Sequence, residues 1–261
     1  VLCIGEHMVQ TGEGASRGEI TIPEGQLRLL REVAAVNDNI AVVLFGGRPM
    51  DLREVKALAK AILVVWMPGT EGGNAIADVL YGEVSPGGRL PMSFPYCVGQ
   101  VPVHYAEFNT GRHFETSQPD NRFQSRYLDI PNAPLYPFGY GLDYSEVSYG
   151  NVSLSSDVLN RGETITAKAT VKNIGVKKAS EVVQLYIRDD KGSVVRPVRE
   201  LKGFEKIQLE AGEEKEVSFV INEEMLKFHD INMDFVAEAG TFTVYIGGDS
   251  TTENQATFVL K

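Results

Sequence analysis

Cysteine, histidine and positive charge are all scarce in this sequence. Its 261 residues include two cysteines and four histidines, and 25 basic residues against 35 acidic ones give a formal net charge of −10 at pH 7. Two cysteines do not make a disulfide framework, so we expect Cys3, in a strand that looks buried, and Cys97, in a loop, to be free thiols. The negative charge argues against nucleic-acid or anionic-membrane partners, because both require a basic surface.

The motifs of metal, nucleotide and acyl-transfer chemistry are also missing. The histidines are scattered, at His7, His104, His113 and His229. They show no HExxH spacing and the cysteines no CxxC spacing, so we expect neither a metal ion nor a cofactor. A glycine-rich turn at 69–73 could cradle an anion, but it lacks the Walker lysine and its Glu71 would repel a phosphate. No GxSxG nucleophile elbow is present.

Apolar runs long enough to cross a bilayer are absent, so the sequence predicts no transmembrane helix. The sequence starts at Val1 rather than at a methionine, and we expect no signal peptide within it. Residues 1–4 resemble the second half of a buried strand, which would leave a domain starting here without its first strand. We therefore expect the carboxyl-terminal part of a longer polypeptide.

Residues 1–95 alternate short apolar runs with segments of helical periodicity. Beyond the first run, strands are predicted at 40–45 and 61–66, and helices at 26–36, 52–58 and 73–81. The run at 40–45 has no polar alternation, which is typical of a strand covered on both faces. This order predicts an α/β sandwich, three layers thick, with a mostly parallel sheet that is incomplete at its amino-terminal end.

The rest of the chain divides into a connection and a β domain. Residues 96–146 are rich in proline, glycine and aromatic residues, which favours an interdomain belt packed on a surface over disorder. The alternative is a loop that rims a binding cleft, where Arg112 or Arg126 could meet a sugar. From 147 to 261 short alternating strands, at 164–171, 181–187, 216–221, 241–246 and 256–260, are separated by turn signals. They predict an immunoglobulin-like sandwich of the fibronectin type III kind.

Carboxylates are the remaining candidates for chemistry. Glu6, Glu13 and Glu19 all lie in the loop after the first strand, where an open α/β sheet usually places its functional residues. Glycosidic bond hydrolysis needs one carboxylic acid to protonate the leaving oxygen and a second carboxylate at the anomeric carbon. Glycines on both sides leave Glu13 unshielded, but a solvated loop glutamate is the simpler interpretation. The residues alone do not favour Glu13 over the other two.

Longer motifs carry a resemblance to a known family. They are Gly5-Glu6, Glu13-x-x-Ser16-Arg17, Gly47-Arg48-Pro49, Trp66-x-Pro68-Gly69-x-Glu71-Gly72-Gly73, Tyr136-Pro137-Phe138-Gly139-Tyr140-Gly141-Leu142 and Leu201-Lys202-Gly203-Phe204-Glu205. In this order and over essentially the whole chain they resemble glycoside hydrolase family 3. The run Val98-Gly99-Gln100-Val101-Pro102, together with Asn109-Thr110-Gly111-Arg112, points more narrowly to its bacterial periplasmic-type β-glucosidases.

The resemblance implies a retaining β-glucosidase in which an amino-terminal (β/α)8 barrel, absent from this sequence, supplies an aspartate nucleophile. It implies that Glu13 is the acid/base, and it suggests Arg17 and Arg112 as substrate-binding residues. A β-xylosidase or exo-β-glucanase of the same family, or a non-catalytic carbohydrate-binding or assembly module, are the alternatives. The resemblance suggests a periplasmic or secreted protein, with the cytoplasm as the alternative. The expected partners are a β-glucoside or oligosaccharide and the barrel, and a homodimer stays open.

Overall fold

A computed structural model describes residues 1–112 and 122–261. The chain divides into two compact units. The first consists of Val1–Val84, Met92–Val103 and Leu128–Tyr136, and the second of Ser85–Pro91, His104–Tyr127 and Pro137–Lys261. Among the described residues no helix is both long and apolar enough to cross a membrane.

The first unit is built on a small parallel sheet. Its strands are β1 (Leu2–Gly5), β2 (Ala41–Phe45) and β3 (Ala61–Trp66), hydrogen-bonded in the order β1-β2-β3. Its helices are α1 (Glu24–Ala34), α2 (Arg53–Leu58) and α3 (Gly72–Tyr81). The predicted alternation of strands and helices is confirmed, with bounds that differ by at most two residues.

The burial of these elements follows their sequence patterns. The central strand β2 buries its middle residues Val42, Val43 and Leu44, as a strand covered on both faces should. Helix α1 buries Leu30 and turns its charged face outward. There Arg31 donates hydrogen bonds to both Glu24 and Glu54, which ties α1 to α2 and lowers the pKa of Glu54.

The expectation that Cys3 lies in a buried strand is wrong, because its side chain is exposed. Successive residues of a strand point to opposite faces of the sheet, and it is Ile4, the next residue, that is buried. Cys97 is half-buried in the loop that leads into a short 3₁₀ turn at Val98–Gln100. Both cysteines are free thiols, as predicted.

The second unit is an antiparallel β-sandwich with one parallel edge pair. Its strands are β4 (Val147–Tyr149), β5 (Ser153–Leu154), β6 (Val158–Leu159), β7 (Thr164–Asn173), β8 (Ala179–Asp189), β9 (Glu200–Leu209), β10 (Glu214–Asn222), β11 (Phe228–His229), β12 (Phe235–Val236), β13 (Gly240–Gly247) and β14 (Gln255–Leu260). One sheet has the order β10-β7-β4, with β5 also on β7, and the other has the order β6-β14-β13-β8-β9. Strands β11 and β12 form a separate hairpin. This confirms the predicted sandwich.

The two sheets bury their inward faces in one core. Strand β7 alternates strictly, burying Ile165, Ala167, Ala169 and Val171. From the other sheet, the rings of Phe242 and Phe258 stack with their centroids 5.5 Å apart. The alternation of apolar and polar residues, which predicted these strands, therefore also selects the core.

Aromatic residues of the 96–146 segment pack within each unit. In the second unit Tyr105 stacks on Phe138 at 4.2 Å between centroids and meets the edge of Tyr186 at 5.9 Å. In the first unit Phe94 contacts Tyr136 edge-on at 6.5 Å. These rings are therefore packed against other aromatic side chains and are not disordered. Phe108 and Phe123, by contrast, are exposed.

A buried ion pair accompanies the sandwich core. The Arg89 guanidinium lies 2.8 Å from the Glu181 carboxylate, and these side chains are 8% and 7% exposed. The Tyr149 hydroxyl donates to the other Glu181 oxygen at 2.8 Å. Burial, reinforced by the nearby Glu181 charge, raises the pKa of Tyr149, so this hydroxyl stays protonated and keeps donating.

Replacing Arg89 by methionine should destabilise the second unit, because it leaves the Glu181 charge buried without its cation. We expect the free energy of unfolding of the chain, measured with urea, to fall by about 3–5 kcal/mol. Adding Glu181→Gln removes that charge and should restore much of the loss. Lys168→Met, at an exposed pair with Glu216, is the control and should cost less than about 1 kcal/mol. A double variant less stable than Arg89→Met would contradict this account.

Candidate active site

The candidate site is the loop that leaves the carboxyl end of β1. At its start Gly5 has φ +141°, and a Cβ built on it would lie 1.8 Å from the Phe45 carbonyl oxygen. The backbone of Gly5 exchanges two hydrogen bonds with the Gln26 side chain, at 2.7 and 2.9 Å. Strand β1 therefore ends at a glycine held between β2 and the first turn of α1, and the loop departs from a fixed point.

Glu13 lies at the tip of this loop. The amide of Ala15 donates to the Gly12 carbonyl at 3.2 Å, which makes Glu13 the second residue of a tight turn. Gly14 is the third, with φ +72°, the left-handed conformation that the third position of a type II turn requires. The Glu13 side chain is exposed. The two glycines thus shape a turn that presents this carboxylate to solvent.

Glu6 has the opposite environment, although it belongs to the same loop. Its side chain is 2% exposed, and its carboxylate lies 3.0 Å from Arg48 Nε and 3.7 Å from Arg17 Nε. Cations and hydrogen bonds around a buried carboxylate offset the cost of removing it from water. Glu6 is thereby engaged in a fixed ion-pair cluster, whereas Glu13 and Glu19 are exposed.

Arg17 and Arg112, the other predicted site residues, lie in different units. Arg17 contacts Glu6 and donates to the Glu19 carbonyl at 3.5 Å, so the loop brings it together with the Glu6 cluster. Arg112 belongs to the second unit, where it is exposed and its guanidinium lies 5.9 Å from the centre of the Phe123 ring. Their proposed contact with a sugar stays a prediction.

The far end of the loop is attached to the segment that follows β2. The amide of Asp51 donates to the Ile20 carbonyl at 2.9 Å, and Thr21 forms an isolated parallel bridge with Asp51. Near the middle of the loop, a Cβ added at Gly47 would come within 3.3 Å of the Thr11 hydroxyl. The loop and the segment after β2 are therefore in close contact both near the middle and at the far end of the loop.

Trp66, which ends β3 at the same edge of the sheet, has a strained backbone conformation. Its φ is +51°, a left-handed conformation that costs about 1–3 kcal/mol for a residue other than glycine. Its carbonyl accepts a hydrogen bond from Gly46 at 3.3 Å, and its ring lies 5.8 Å from that of Phe94. Packing against Phe94 helps to hold the strained residue.

No group of three or more His, Cys, Asp or Glu among residues 1–112 and 122–261 is arranged to hold a metal ion. His113 lies outside the described residues. The chemistry that the described part of the site offers is that of carboxylates and guanidinium groups.

The cluster of Glu6 with Arg48 is the part of the site that the residues alone did not predict. Glu6 directly follows β1, and Arg48 follows β2. Because the carboxyl ends of neighbouring parallel strands meet at one edge, the pairing of these two positions was the available signal. Both residues belong to the motifs quoted for the resemblance, yet only the register of β1 on β2 brings them into contact.

Comparison with known proteins agrees with this architecture of an α/β unit and a fibronectin-like sandwich. The family model for the glycosyl hydrolase family 3 C-terminal domain matches residues 1–144, and the model for a fibronectin type III-like domain matches residues 181–250. The first match covers more than half of the chain. The chain belongs to glycosyl hydrolase family 3.

Relatives of known name and structure are similar over the whole chain. A periplasmic β-glucosidase of Salmonella typhimurium is 46% identical over 260 residues, which are 100% of this chain and 34% of that protein. A β-xylosidase of Formosa agariphila is 36% identical, over 100% of this chain and 35% of that protein. The crystal structure of a β-glucosidase from Listeria innocua in complex with glucose superposes with a TM-score of 0.94 at 40% identity, covering 99% of this chain and 36% of that one. The chain thus spans about a third of the length of these relatives.

Gly5→Ala should disrupt the start of the loop, because its Cβ would collide with the Phe45 backbone and its φ would be strained. We expect a loss of about 2 kcal/mol or more in unfolding free energy of the first unit, measured by hydrogen exchange of the β1 and β2 amides. Gly73→Ala is the matched control, since nothing lies within 4 Å of its added Cβ. Equal protection in the two variants would refute the close-contact role of Gly5.

Proposed function

We propose that this chain is the carboxyl-terminal part of a retaining β-glucosidase that removes terminal β-D-glucosyl residues. In this proposal Glu13 is the general acid/base, and an amino-terminal (β/α)8 barrel outside the sequence supplies the aspartate nucleophile. The observation that carries the proposal is the exposed turn at Glu13, within the Glu-x-x-Ser-Arg motif of a chain 46% identical to a protein named as a β-glucosidase.

The environment of Glu13 suits both halves of such a reaction. The acid donates a proton to the glycosidic oxygen as the nucleophile attacks, and the resulting carboxylate then takes a proton from the water that releases the sugar. A carboxylate on an exposed turn can approach both oxygens, which a buried and ion-paired one such as Glu6 cannot. In the intact enzyme the two catalytic carboxyl groups should lie about 5 Å apart.

The alternative within the family is a β-xylosidase, and the similarity to a protein of that name in Formosa agariphila favours keeping it. An exo-β-glucanase is the other alternative within the family. Sugar specificity depends in this proposal mainly on the barrel. A non-catalytic carbohydrate-binding or assembly module is the alternative of a different class.

The proposal extends to the surroundings of the site. Arg17 and Arg112 are proposed as substrate-binding residues, and the domain bounds as 1–95, 96–146 for the aromatic belt, and 147–261. A periplasmic or secreted location is proposed from the name of the Salmonella relative, with the cytoplasm as the alternative. A homodimer is compatible with the proposal.

Glu13→Gln in the full-length enzyme should impair substrates according to their need for a proton. We expect kcat/KM on an alkyl β-glucoside to fall about 10²–10⁴-fold and kcat/KM on dinitrophenyl β-glucoside, whose leaving group needs no acid, to be retained. Glu19→Gln is the matched control, because it removes another exposed carboxylate of the same loop. Equal loss of kcat/KM on both substrates would remove Glu13 from the acid role.

The chain by itself should not turn over an aryl β-glucoside, because the nucleophile of the proposal lies outside it. Release of nitrophenol by the purified chain, well above the buffer rate, would overturn the division of the active site. Binding of a glucan to the full-length protein without turnover would favour the non-catalytic module instead.

A further inference from the structure

We propose that Glu6 is a positioning residue, which clamps both ends of the loop segment that carries Glu13. This inference rests on the acid/base role proposed for Glu13. Glu6 does not touch the substrate in this account. It acts through Arg48 on the amino-terminal side of the turn and through Arg17 on the carboxyl-terminal side.

The first arm of the clamp runs through Arg48. Its Nε donates to Glu6 Oε2 at 3.0 Å, and its Nη2 donates to the Gln10 carbonyl at 3.4 Å. Gln10 ends a 3₁₀ turn that His7 caps in both directions, by accepting from Val9 and by donating to the Gln10 side chain. Arg48 therefore ties the last ordered turn before Thr11 to the Glu6 carboxylate.

The second arm runs through Arg17. Its Nε lies 3.7 Å from Glu6 Oε1 and donates to the Glu19 carbonyl at 3.5 Å. The two oxygens of one carboxylate thus face the two arginines. Residues 11–16, with Glu13 at the turn, lie between the arms.

Glu6 itself has a rigid support. It directly follows Gly5, and its amide donates to the Phe45 carbonyl at 3.0 Å. The carboxylate lies beside the backbone of Gly46, where an added Cβ would be 3.8 Å from Oε2. Because the Glu6 side chain is 2% exposed, solvent and salt screen its attraction to the arginines less than they would screen a surface pair.

A loosened clamp should impair proton transfer more than it impairs substrate binding. Misplacement of a catalytic group by about 1 Å costs about 100-fold in rate, and the cost is felt where that group acts in the transition state. Substrates with poor leaving groups need the Glu13 proton, whereas dinitrophenyl glucosides do not. We therefore expect substitution of Glu6 to lower kcat/KM selectively on substrates with poor leaving groups, as substitution of Glu13 should.

The test is Glu6→Gln in the full-length enzyme, with kcat/KM measured on an alkyl β-glucoside and on dinitrophenyl β-glucoside. We expect a fall of about 100-fold on the first and little change on the second. Glu54→Gln is the control, because Glu54 also pairs with an arginine of the first unit but lies on α2; it should leave both values unchanged. An equal loss on both substrates for Glu6→Gln would mean a merely structural role and would overturn the inference.

A double variant separates this inference from the proposed function. If Glu6 acts through Glu13, Glu6→Gln added to Glu13→Gln should cost nothing further on the alkyl glucoside, whereas multiplying losses would overturn the clamp. If Glu13→Gln alone loses both substrates equally, it is the acid/base assignment that fails. Should Glu6→Gln not fold, Arg48→Lys keeps the cation but shortens its reach to Gln10. A selective loss of about 10-fold in that variant supports the clamp, and no selective loss overturns it.

Discussion

The close approach of Gly5 to the Phe45 carbonyl is the constraint from which the site is built. It allows β1 to end flush against β2 in parallel register, with Leu2 opposite Val42 and Gly5 opposite Phe45. The residues that leave these two strands, Glu6 and the segment containing Arg48, then emerge side by side. A parallel sheet always gathers the ends of its strands in this way, but here the contact of backbone with backbone leaves no room for any other residue than glycine.

Much of the fold could be predicted from the sequence, because the pattern of apolar and polar residues in most strands indicates which of their faces are buried. The apolar run of β2 and the strict alternation of β7 each reflect a local rule. Strand β9 was not predicted, because its sequence lacks both of these patterns. It lies at the edge of its sheet, has an interior glycine at Gly203, and is exposed along residues 205–206, so neither alternation nor a continuous apolar run marks it. The pairing with β8, and not a pattern of its own, makes it a strand.

The site was less predictable, since its contacts join residues far apart in the chain. Glu6 and Arg48 are 42 residues apart, and no spacing within either segment predicts their ion pair. Glu13 could be singled out by its resemblance to a family motif, whereas composition left it equal to Glu6 and Glu19. Cys3 shows the same limit in the fold: the apolar neighbours suggested burial, but the face to which a strand residue points depends on what covers that face.

Burial is what gives two glutamates of one loop different capacities. Glu6 is buried and lies beside two guanidinium groups, so its carboxylate is engaged in structural ion pairs and is shielded from a substrate. Glu13 lies on a turn between two glycines and its side chain is exposed, so its carboxyl group is accessible to a substrate. Environment rather than residue type divides such roles between carboxylates. An acid/base on a loop needs an exposed carboxyl group and a fixed attachment of the loop, and in the roles proposed here Glu13 provides the first and Glu6 the second.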